Sequence, residues 1–136
     1  MTIREEQVTL WNDGSQRLLI SAAPEERQYK YIEGIPCITV GFTYEDEHFK
    51  GYDEFTFFGE RYTELLKTIK DVYDKLNGHI RLYDMGADTD GFIEIDVEGG
   101  KLNVSGQLGA SFWFFSLKFS LDADQTLLLP LLDCLR

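Results

Sequence analysis

The sequence is poor in the side chains that carry most chemistry at neutral pH. It has two histidines, His48 and His79, and two cysteines, Cys37 and Cys134. Neither histidine has a Cys or another His at ligand spacing, which argues against zinc. The cysteines fall in unlike contexts, a strand pattern and a leucine-rich terminal segment, and read as free, mostly buried thiols. Lys and Arg number 13 against 24 Asp and Glu, for a formal net charge of -11. The cations are scattered, which excludes the basic patch of a nucleic-acid binder, and the acidic excess repels anionic lipid. No apolar run approaches the roughly 20 residues that cross a bilayer. Met1-Thr2-Ile3-Arg4-Glu5-Glu6 lacks the basic start and apolar core of a signal peptide, so the expected location is cytoplasmic. Ser and Cys nucleophile motifs, a phosphate-cradling glycine loop and a dinucleotide fingerprint are absent. An enzyme is therefore not expected, and neither is a metal or another cofactor.

What is present is the composition of a folded chain. At 136 residues, 43% hydrophobic and 14% aromatic, it is long enough for one domain with its own core and too apolar for a disordered segment. The most legible stretch runs from Asp90 to Leu121. Phe92-Ile93-Glu94-Ile95-Asp96-Val97-Glu98 alternates apolar with acidic residues, and Lys101-Leu102-Asn103-Val104-Ser105 alternates again after Gly99-Gly100. A two-residue Gly-Gly loop suits a type I′ hairpin, whose central residues both need positive φ. Closing the hairpin there pairs Glu98 with Lys101, Val97 with Leu102, Asp96 with Asn103 and Ile95 with Val104. All apolar residues then share one face, which is what fixes a register. A further turn near Gly109-Ala110 is expected to bring Trp113, Phe115 and Leu117 onto that face. Val97, Val104, Phe115 and Leu117 should then pack against a helix.

Elsewhere, Gln7 to Trp11 and Arg17 to Ser21 read as a hairpin around Asn12-Asp13-Gly14. Tyr29 to Ile32 reads as an edge strand. Cys37 to Tyr44 has strict period two, and Phe49 to Phe58, apolar on both faces in its later half, is expected to lie centrally. From Glu60 to Leu76, the residues Tyr62, Leu65, Leu66, Ile69, Val72, Tyr73 and Leu76 form one helical stripe that Asn77-Gly78 should end. His79 to Tyr83 is a strand, with His79 placed to suit the helix dipole. Asp122 and Gln125 have capping-box spacing, and Pro130 belongs in the first turn of a C-terminal helix. The result is an α+β fold: a mostly antiparallel meander sheet with a central helix at about 60–76 and a C-terminal helix at about 129–136 packed on it.

Two stretches bear on function. Asp84 to Ile93 partly matches a calcium loop, but Gly86 stands where the first aspartate belongs and Val97 where the bidentate glutamate belongs. A turn built from Asp and Gly for backbone reasons is the better account. Glu94, Asp96 and Glu98 share one strand face, either as solvated surface or as the docking face for a basic partner. Phe112 and Phe114 fall on the same side of the meander and are either covered by the chain or anchors for a partner.

A wider pattern includes Phe49-Lys50-Gly51, Phe55, Phe57 and Val72-Tyr73-Asp74-Lys75-Leu76-Asn77-Gly78. It continues through Gly91-Phe92-Ile93-Glu94-Ile95, Leu102-Asn103-Val104-Ser105-Gly106, Ser116-Leu117-Lys118-Phe119 and Asp124-Gln125-Thr126-Leu127. This pattern resembles the bacterial WapI-type immunity proteins, found beside polymorphic or contact-dependent toxins. The resemblance implies a non-enzymatic protein that neutralises a cognate toxin domain by stoichiometric binding in the cytoplasm. An acidic surface, with Glu94, Asp96 and Glu98 at its centre and Phe112 and Phe114 beside it, would meet a basic partner. The alternative is a structural or regulatory domain that self-associates as a homo-oligomer.

Overall fold

The computed structural model describes residues 7–22, 31–32, 34–109 and 116–136. Among these residues, two antiparallel sheets and two α-helices enclose one core, an α+β architecture.

The first sheet is built around a long strand, β4 (Ile35–Asp46), with β1 (Gln7–Asn12), β2 (Gln16–Ala22), the short β3 (Tyr31–Ile32) and β5 (Lys50–Phe58). β2 pairs with β1 on one side and β4 on the other, while β5 and β3 also pair with β4. The period-two pattern of β4 aims Val40, Phe42 and Tyr44 into the core, and Phe55 and Phe57 of β5 join them. Cys37, Thr39 and Thr43 on its other face are buried too. Part of that cover is Tyr52, whose ring lies over Gly41: a Cβ there would come within 2.5 Å of the Tyr52 hydroxyl.

β5 is not central. Among the described residues its strand partner is β4, and its far edge is met by a loop. The Thr56 amide donates to Asp84 Oδ1 at 2.9 Å, and the Thr56 carbonyl accepts the Met85 amide at 2.9 Å. Loop groups thus occupy hydrogen-bonding positions that a neighbouring strand would otherwise take, and they protect the edge.

β5 leads directly into α1 (Gly59–Lys75), which buries Leu65, Ile69 and Val72. The helix ends one residue earlier than its stripe suggests. Leu76 takes the left-handed conformation (φ 56°) and donates its amide to the Val72 carbonyl at 2.7 Å. Asn77 and Gly78 are committed elsewhere. Asn77 Oδ1 accepts the Gly99 amide at 3.2 Å, and Val72 Cγ2 lies 2.7 Å from where a Cβ on Gly78 would be.

The second sheet is a meander of β6 (Asn77–Tyr83), β7 (Phe92–Glu98), β8 (Lys101–Leu108) and β9 (Leu117–Asp124). The β7–β8 register is the one the Gly-Gly turn dictates: Glu98 opposite Lys101, Val97 opposite Leu102, Asp96 opposite Asn103 and Ile95 opposite Val104. Gly99 (φ 58°) and Gly100 (φ 83°) are both left-handed, as a type I′ turn requires. Ile80, Leu82, Ile93, Ile95, Val97, Leu102, Val104, Phe119 and Leu121 are buried on the inner face. Leu117 lies partly buried against the same core, opposite Leu108. Trp113 and Phe115, expected on this face, lie outside the described residues, as do Phe112, Phe114, Tyr29 and Lys30.

Across the core, the rings of Tyr44 on β4 and Phe119 on β9 stack with centroids 4.6 Å apart. β9 continues through Asp124, so Asp122 lies in the strand opposite Asn103 and cannot cap the helix. Asp124 caps instead, accepting the Thr126 amide at 2.9 Å at the start of a 3-10 turn, Gln125–Leu127. α2 (Leu128–Leu135) follows with Pro130 in its first turn, where the missing N–H has no helical acceptor. Leu128, Leu131, Leu132 and Leu135 face the core, and the Tyr62 hydroxyl of α1 donates to the Leu135 carbonyl.

Candidate partner-binding face

The alternation that buries one face of the second sheet places Glu94, Asp96 and Glu98 on the other. Each lies in a row of cross-strand neighbours. Asn77, Glu98, Lys101 and Asp124 form the row nearest the Gly-Gly turn. His79, Asp96, Asn103 and Asp122 come next, followed by Arg81, Glu94, Ser105 and Ser120.

β6 changes the electrostatics of this face. Arg81 forms an ion pair with Glu94, and its guanidinium carbon lies 4.6 Å from the centroid of the Phe92 ring. His79 lies in β6, and its Nδ1 is 2.6 Å from Asp96 Oδ1. Asn103 Nδ2 donates to Asp122 Oδ1 at 3.2 Å. Glu98 is exposed and takes part in none of the ion pairs found among the described residues. Acidic groups gather in the two rows nearest the Gly-Gly turn, Asp96 with Asp122 and Glu98 with Asp124, and Lys101 stands among them. There a shallow depression of about 950 Å³ is lined by Asn77, Asp96, Glu98, Lys101, Asn103 and Asp122.

The arrangement offers exposed acceptors to a basic surface. The side chains of Asp96 and His79 are 67% and 50% exposed, so water screens both. Of the candidate residues, the structure brings Glu94, Asp96 and Glu98 together. Phe112 and Phe114 lie outside the described residues. Sequence reasoning missed the Arg81–Glu94 ion pair and the His79–Asp96 hydrogen bond. The signal was the alternation of His79 and Arg81 with Ile80 and Leu82, which puts both side chains on the outer face of β6.

The second polar cluster joins the two sheets. Asp84 is buried, and its carboxylate accepts four backbone amides: Thr56 at 2.9 Å, Gly86 at 3.2 Å, Asp88 at 2.7 Å and Thr89 at 3.3 Å. Asp53, on the inward side of β5, accepts the Thr89 hydroxyl at 2.8 Å and the Gly109 amide at 2.9 Å through Oδ2, and the Glu54 amide at 2.9 Å through Oδ1. Burial pushes the Asp53 carboxyl up from its ordinary value, against the pull of those three donors. Gln107 donates to Asp90 Oδ1 at 3.1 Å and to the Gly109 carbonyl at 3.3 Å.

The 84–91 loop is thus shaped by carboxylates that turn onto the backbone. Among the described residues, no three His, Cys, Asp or Glu side chains are grouped to hold a metal ion. Burial also pushes up the thiols of Cys37 and Cys134, which disfavours the nucleophilic thiolate. Comparison with protein-family models, curated proteins and solved structures gives no match for this chain.

Proposed function

We propose that this chain is a non-enzymatic binding protein whose outer β6–β9 face docks a basic protein partner. On the pattern from Phe49-Lys50-Gly51 to Asp124-Gln125-Thr126-Leu127, we further propose that it is an immunity protein of the WapI type, with a toxin domain as that partner. The observation that carries the docking reading is the depression beside the Gly-Gly turn, where Asp96, Glu98 and Asp122 gather on a sheet face. The face is held firmly, since the strands beneath it are fixed by a fully buried apolar layer. Little ordering is then needed on binding, which favours affinity.

Acting by occlusion needs no catalytic group. An acidic surface set over a basic cleft competes directly with any phosphate backbone the cleft would hold, and charge steering speeds the encounter. The test is co-purification from the native host with a tagged chain, followed by reconstitution of the pair. A single basic partner, bound one to one and inactivated by the chain, is the expected result. A chain that sediments as a concentration-dependent oligomer and captures no basic partner would favour the self-associating alternative.

A further inference from the structure

We draw no further inference here: the strongest candidate, the surface depression of about 410 Å³ lined by Phe49 in the β4–β5 turn, Gly51 on β5 and Leu117 on β9, is an apolar patch, and nothing among the described residues shows what covers it.

Discussion

His79 Nδ1 lies 2.6 Å from Asp96 Oδ1 across the β6–β7 ladder, two residues along each strand from the Arg81–Glu94 ion pair. The two contacts engage Glu94 and Asp96 of the acidic row of β7, while Glu98 lies opposite Lys101 and in none of the ion pairs found among the described residues. Substitutions of opposite charge sense on this face should act on binding in opposite directions. Arg81→Ala should speed association with a basic partner at low salt, and Glu98→Lys should slow it, both read by stopped-flow mixing. Arg81→Ala should cost less than about 1 kcal/mol of stability, because exposed pairs contribute little.

The glycines of the β7–β8 turn are not equivalent. Both have positive φ, but a Cβ at Gly99 meets open space, whereas one at Gly100 would lie 2.9 Å from Gln125 Oε1. Asn tolerates the left-handed region, so Gly99→Asn should change stability by no more than about 0.5 kcal/mol. Gly100→Ala should cost about 1–2 kcal/mol from the left-handed backbone alone. Urea denaturation of the two variants measures the difference.

Removing the Asp84 carboxylate should be among the most damaging single changes outside the apolar core. It leaves four backbone amides without their acceptor at a buried site. Asp84→Ala should lose about 3 kcal/mol or more, with Asp84→Asn intermediate because one oxygen remains. Since the carboxylate is occupied by the backbone, millimolar calcium should leave the melting temperature of the native protein unchanged.

Asp53 predicts a pH dependence of defined sign. Its folded-state pKa is raised, mainly by burial, so the native state holds the proton more tightly than the unfolded chain. The ionised group therefore subtracts from stability above the raised pKa, and that penalty is relieved as pH falls through it toward the unfolded value of 3.8. Asp53→Asn has no such titration. The stability of the native protein relative to this variant should rise as pH is lowered from neutral toward 4, which denaturation at a series of pH values will show.

Local patterns in the chain disclose the elements; they do not disclose partners separated by loops. The β7–β8 register is legible because Gly99-Gly100 and the alternation on either side each allow one pairing. The helical stripe of α1 is legible for the same local reason. Its left-handed terminus at Leu76 is not, because Gly78 packs back against Val72 and Asn77 is claimed by Gly99, a contact that exists only once the meander folds back. The expectation of a central β5 fails similarly: its edge is satisfied by Asp84 and Met85, a loop rather than a strand. At the candidate face, Glu94, Asp96 and Glu98 are legible as one row. The contacts of Glu94 with Arg81 and of Asp96 with His79 depend on pairing across the 84–91 loop, which no periodicity announces.

The claim on which the functional reading depends is that the outer face of β7 steers and docks a basic partner. The most direct measurement is the association rate of the reconstituted pair across a range of salt, for the native protein and for a Glu94→Lys, Asp96→Lys, Glu98→Lys variant whose fold is verified by circular dichroism. The native rate should fall as salt rises, and the variant should associate about tenfold or more slowly at low salt with little remaining salt dependence. A variant that binds at the native rate with the native salt dependence would contradict the account.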